Sequence, residues 1–90
     1  MRIEDFKTIV KNEQLMEPIL NQKPINLINT YGYYYDAGNY VAYRTDEKAY
    51  MFVTKTFSSE EKVLDELLEW LRNKKIIDDN SLRFMSEREI

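Results

Sequence analysis

Three carboxylates, Glu61, Asp65 and Glu69, recur at intervals of four. That spacing aligns them on one face of a helix, where each like-charged neighbour pair costs about 0.2–0.5 kcal/mol. A helix shaped for stability alone would alternate its signs. The helix dipole offsets Glu61 near the N-terminus but not Glu69, so the stripe suits the approach of a basic partner; the plainer reading is a solvated face. The second concentration is aromatic, from Tyr31-Gly32-Tyr33-Tyr34-Tyr35 through Tyr40, Tyr43 and Tyr50 to Phe52. Such rings anchor protein interfaces or stack on bases.

Several chemistries are excluded by composition. The chain has no histidine, hence neither the usual general base near neutral pH nor the commonest metal ligand. It has no cysteine, hence no thiolate nucleophile, disulfide or zinc–sulfur site. Asp36, Asp46 and Glu47 are explained by turn chemistry, and no carboxylate spacing resembles an EF-hand loop. No catalytic, metal-binding or cofactor-binding residue is assigned, and a non-enzyme is expected. The rival enzyme reading requires a small ligand in a pocket formed by Asp36, Tyr40 and Arg44.

Thirteen Lys and Arg stand against 16 Asp and Glu, a net charge of −3, which disfavours phosphate backbones and anionic lipid. The Tyr-rich stretch itself is neutral, with Arg44, Lys48 and Lys55 against Asp36, Asp46 and Glu47, so a nucleic-acid stacking platform lacks its basic groove. No apolar run approaches the roughly 20 residues that span a bilayer, and MRIEDFKTIV places Glu4 and Asp5 where a signal peptide is basic and then apolar. The expectation is a cytoplasmic protein that binds neither nucleic acid nor membrane.

These residues must be positioned by a single α+β domain over 1–90, 43% apolar and 32% charged, a size at which one core forms. Residues 1–22 read as helical. Phe6, Ile9, Val10, Met16, Ile19 and Leu20 recur at spacings of three and four, and Pro18 divides a helix near 3–14 from a short second turn. Residues 25–57 are β-rich and divide at Asp36-Ala37-Gly38-Asn39 and Thr45-Asp46-Glu47-Lys48 into a three-stranded antiparallel meander. Ser58-Ser59-Glu60-Glu61 reads as a capping box, Ser58 with Glu61, opening an amphipathic helix over 58–75 whose stripe is Val63, Leu64, Leu67, Leu68, Trp70 and Leu71. Residues 76–90 read as a tail, with Asp79-Asn80-Ser81 opening a short helix carrying Leu82 and Met85.

Hairpins closing at Ala37-Gly38 and Asp46-Glu47 pair Tyr35 with Tyr40, Tyr34 with Val41, Tyr43 with Tyr50 and Val41 with Phe52. One face then carries Leu27, Tyr31, Tyr33, Tyr35, Tyr40, Ala42, Arg44, Ala49, Met51 and Val53, and small Ala42 and Ala49 admit a helix there. The other carries Ile28, Tyr34, Val41, Tyr43, Tyr50, Phe52 and Thr54. A solvated face would alternate in polar residues, so either the tail or the first helix covers this one, or it is an interface with a second copy or a foreign protein. Tyr34, Val41, Tyr43, Tyr50 and Phe52, with Glu61, Asp65 and Glu69, are therefore the candidate partner-binding residues.

The helix–three strands–helix order is also that of the double-stranded RNA-binding domain. That family holds phosphates with a basic cluster where its second helix begins, and here stands Ser58-Ser59-Glu60-Glu61. INTYGYYYDAGNYVAYRTDEKAYMFVTK followed by SSEEKVLDELLEWL resembles, in size, charge and style, the small bacterial immunity proteins encoded beside polymorphic secreted toxins. The resemblance implies a non-catalytic module that neutralises a toxin, here a basic toxin domain, by tight binding; a homodimeric structural or regulatory domain is the alternative.

Overall fold

The computed structural model describes residues 1–88, with side chains described over residues 1–80. The elements are α1 (Ile3–Asn12), β1 (Tyr31–Asp36), β2 (Asn39–Thr45), β3 (Met51–Phe57) and α2 (Glu60–Arg88), the α-β-β-β-α order of an α+β fold. The strands form one antiparallel sheet ordered β1-β2-β3.

Helix α1 ends earlier than its periodicity suggests. Gln14 takes φ 55°, its amide donates to the Lys11 carbonyl and the Leu15 amide to the Val10 carbonyl; these are the paired closing bonds of a Schellman cap. No second turn follows at Pro18. Instead Ile19 forms a parallel bridge to Gly32, because an extended Ile19 satisfies amides and carbonyls on the outer edge of β1 that a helical turn would leave unpaired.

The β1–β2 hairpin closes as expected. Ala37 and Gly38 both have positive φ, 49° and 87°, the requirement of a two-residue type I′ turn, and Tyr35 pairs with Tyr40 and Tyr34 with Val41. The β2–β3 register differs from expectation by four residues: Tyr43 pairs with Thr54 and Val41 with Thr56. The turn is longer than Asp46-Glu47. The Asp46 carboxylate accepts the amides of Lys48 and Tyr50, the Asp46 amide donates to the Tyr50 carbonyl, and Ala49 supplies the left-handed residue at φ 67°. A register irregularity between Arg44 and Thr45 then leaves Phe52 as an extra residue opposite them, a bulge.

Helix α2 is opened by Ser59 rather than Ser58, the Ser59 hydroxyl accepting the Lys62 amide at 3.3 Å. The helix therefore begins one residue later than a Ser58–Glu61 box requires, and Lys62 occupies the position where a reciprocating Glu would stand. Nor does the helix end at Lys75; its backbone continues to Arg88. The chain has neither Gly nor Pro after Gly38, and Lys74 pairs with Asp78 one turn on, so nothing breaks it. The expected packing of Leu82 and Met85 concerns side chains outside the described residues.

The main core lies between one sheet face and the two helices. Tyr31, Tyr33 and Ala42 meet Phe6 and Val10 of α1 and Val63, Leu64, Leu67, Leu68 and Leu71 of α2. This is the face expected to be core, and Ala42 is fully buried where α2 crosses it. At about 25 cal/mol per Å² of apolar area, each fully buried Leu contributes roughly 2 kcal/mol. The helices are tied to each other by Arg72, whose Nε donates to Glu13 at 2.9 Å, and by Lys75, which donates to the Glu13 carbonyl.

Candidate interaction surface

Among the described residues, the opposite sheet face is covered by a segment other than α1 or the continuing helix α2. Residues 18–30 form a strap across it and along the outer edge of β1. Ile19 donates to the Tyr31 carbonyl at 2.9 Å and accepts from the Tyr33 amide at 3.1 Å, and the Gln22 amide donates to the Tyr33 carbonyl at 3.0 Å. Tyr43 lies beneath this strap at 0% exposure, its hydroxyl donating to the Gln22 carbonyl at 2.9 Å. Burial pushes its phenol up to about 12, so it stays a donor. Tyr43 is thus an internal support and not the partner-binding residue expected of it: the alternation identified its face correctly, but the segment that roofs it was read as a helical turn at Ile19 and Leu20 and as strand at Leu27 and Ile28.

Tyr34 and Val41 are half-buried on the same face. Lys23 of the strap lies over the Tyr34 ring at 5.2 Å, and Tyr34 packs against Tyr43 with centroids 6.0 Å apart. Gly32 explains how closely the strap approaches. A Cβ there would stand 2.5 Å from both the Ile19 carbonyl oxygen and the Tyr43 hydroxyl, so only glycine admits the contact.

Tyr50 and Phe52 remain outside, 67% and 53% exposed. The bulge separates Phe52 from Tyr43: its ring lies 5.0 Å from the Arg44 guanidinium, which also sits 5.2 Å over Tyr31. Arg44, Tyr31 and Val53 share a cleft of about 250 Å³ with Trp70, Lys74 and Ile77 of α2. Sequence reasoning assigned Arg44 and Val53 to the core face and Trp70 to the buried stripe, and gave Ile77 no role. Its cue was an apolar Ile76-Ile77 pair beyond the expected end of α2; both are exposed on the continuing helix.

Every residue of β3 from Met51 to Thr56 is exposed, and its only sheet neighbour among the described residues is β2. The strand therefore presents an open edge with apolar Met51, Phe52 and Val53. Its single charge, Lys55, folds back to Glu66 of α2 at 3.2 Å, and Glu66 also accepts the Trp70 indole N–H.

Glu61, Asp65 and Glu69 are exposed on α2, as the spacing requires. Asp65 pairs with the Met1 amine, just before α1, at 3.2 Å, whereas Glu66 pairs with Lys55 of β3. The expected set accordingly divides between the strap-covered face, the free end of the sheet around β3, and the acidic stripe.

Asp36, Tyr40 and Arg44, the residues of the small-ligand reading, are spread along the sheet. Asp36 sits at the hairpin mouth opposite Asn39, the Tyr40 ring packs against Tyr33 and Tyr35, and Arg44 lies four strand residues from Tyr40, roughly 13 Å away. Tyr33 is held protonated by burial and by donating to Glu60 at 3.0 Å. Among the described residues no three His, Cys, Asp or Glu are grouped to hold a metal ion, and no helix is long and apolar enough to cross a membrane. No protein-family model matches the chain, and neither a curated protein nor a solved structure matches it.

Proposed function

We propose that this chain is a non-catalytic protein-binding module of the immunity type, acting in the cytoplasm. The observation that carries the reading is the open β3 edge, where Tyr50, Met51, Phe52 and Val53 are exposed at a strand whose only sheet neighbour among the described residues is β2. Edges of this kind bind polypeptide by adding a strand, the backbone supplying affinity and the alternate side chains supplying specificity. The acidic stripe of Glu61, Asp65 and Glu69 offers a second contact to a basic protein such as a toxin domain, chiefly by steering its approach.

The test is affinity capture with the tagged chain from its host's lysate and mass spectrometry of what is retained, repeated with Phe52→Ser and with Asp65→Lys/Glu69→Lys. The expected result is one basic protein near stoichiometric amount, reduced by the charge reversal most at low salt, where electrostatic steering is strongest. Retention of no protein at all removes the reading. A second reading, self-association, is favoured by the residue order within β3.

A further inference from the structure

The β3 edge is complementary to itself. We propose that it pairs with the same strand of a second copy about a two-fold axis, joining two three-stranded sheets into one of six; this rests on the binding reading above, names the occupant of the β3 edge, and leaves the acidic stripe of α2 free for a foreign protein.

The direction of each strand's hydrogen bonds follows from one contact. The Thr45 amide donates to the Thr30 carbonyl at 2.8 Å, so Thr45, Tyr43 and Val41 direct their backbone groups toward β1, and Tyr40, Ala42 and Arg44 direct theirs toward β3. Their register partners Phe57, Lys55 and Val53 therefore bond inward. Thr54 and Thr56 direct their amides and carbonyls outward, into water, and these are the groups another strand would engage.

Antiparallel pairing of identical strands has a residue at its centre. Thr54 is the middle residue of Met51–Phe57, and a register centred there pairs the regular stretch on either side of it, with the bulge residue Phe52 falling opposite Thr56. It sets Thr54 opposite Thr54, a favourable cross-strand pair, and sets each Lys55 opposite a Val53. Centring on Lys55 would place two ammonium groups face to face. The Thr54-centred register thus keeps the two Lys55 ammonium groups apart, each beside the Glu66 of its own copy. The usual defences of an open edge are weak here: β3 has no proline, and its bulge lies at Phe52, near the start of the strand. A two-fold interface needs this kind of patch, one that matches itself.

The experiment is sedimentation equilibrium of the full chain over a concentration series, with Thr54→Pro, Thr54→Lys, Thr54→Cys and Lys55→Cys. The wild type is expected to be a concentration-dependent dimer. Thr54→Pro removes an amide that β2 does not use, and Thr54→Lys brings two cations together at the centre; each is expected to weaken the dimer by about tenfold or more with unchanged circular dichroism, and with unchanged Tm at dilutions where the wild type is also monomeric. Paired Thr54 Cα atoms lie about 5.5 Å apart in such a register, within the range for a disulfide, so mild oxidation is expected to cross-link Thr54→Cys. Lys55→Cys, displaced by two residues from its own copy, lies beyond that range. A wild type that stays monomeric throughout, or cross-linking of Lys55→Cys in preference to Thr54→Cys, overturns the inference. A monomer sinks the second-copy partner alone; the binding reading fails separately, when the capture experiment retains no protein.

Discussion

Along the outer edge of β1 the chain itself takes up the exposed backbone: Ile19 and Gln22 bond to Tyr31 and Tyr33, and the Tyr43 hydroxyl fastens the strap from below. Along β3 no described residue does the same, although this strand carries more exposed apolar surface. One sheet therefore has an edge closed by design of the sequence, through a glycine that admits a second backbone, and an edge left available. The difference separates residues that hold the fold from residues whose exposure is unexplained by it. Four measurements sharpen or break that contrast.

Gly32→Ala is expected to have the largest effect. Its Cβ meets a backbone oxygen, which yields less readily than a flexible side chain, so the variant should lose about 2–3 kcal/mol in urea unfolding; an unchanged midpoint would mean the strap does not hold β1. Tyr43→Phe keeps the ring and removes one hydrogen bond, an expected loss of about 1 kcal/mol, together with faster amide exchange at Gln22 and Tyr33. The third effect is confined to acid. Glu13, where α1 hands over to the strap, has its pKa lowered from 4.5, first by the Arg72 hydrogen bond. A lowered folded-state pKa stabilises above the unfolded value and is lost as the pH falls through the folded one. The Tm gap between wild type and Glu13→Gln should therefore be steady above pH 4.5 and close below it; a gap that widened in acid would exclude this clamp. The smallest effect belongs to the open edge, where Phe52→Ser should change unfolding of the monomer by no more than about 0.5 kcal/mol.

The elements themselves were largely legible in the residues. Ala37-Gly38 announced its hairpin because a glycine there permits positive φ, and Ala42 marked the helix-covered face because a small residue in mid-sheet makes room. The β3 register was not legible, since its turn relies on Ala49 in a left-handed conformation that alanine seldom adopts. An even displacement of four kept Val53 and Thr54 on their expected faces, and the bulge moved Phe52 to Arg44 and set Met51 opposite Thr45. The strap escaped notice for a different reason. Asn21, Asn26 and Asn29 take positive φ and interrupt the helical and strand periods suggested by Ile19, Leu20, Leu27 and Ile28, so the role of the segment is carried by main-chain bonds that side-chain patterns do not encode. Of the candidate surface, the exposed stripe was legible from its spacing, Phe52 was displaced by a bulge that alternation does not show, and Tyr43 was lost to the unseen strap.

The strap also sets how far edge pairing can go. A molecule with β1 closed and β3 open can pair once; two such molecules satisfy each other and stop. When the strap lifts, β1 is bare as well, and each molecule then offers an edge on both sides, the condition for growth from copy to copy instead of closure at two. The bonds from Ile19 and Gln22 thereby act as a chain terminator. Any change that loosens them, Gly32→Ala foremost, is expected to convert a finite assembly into an open-ended one.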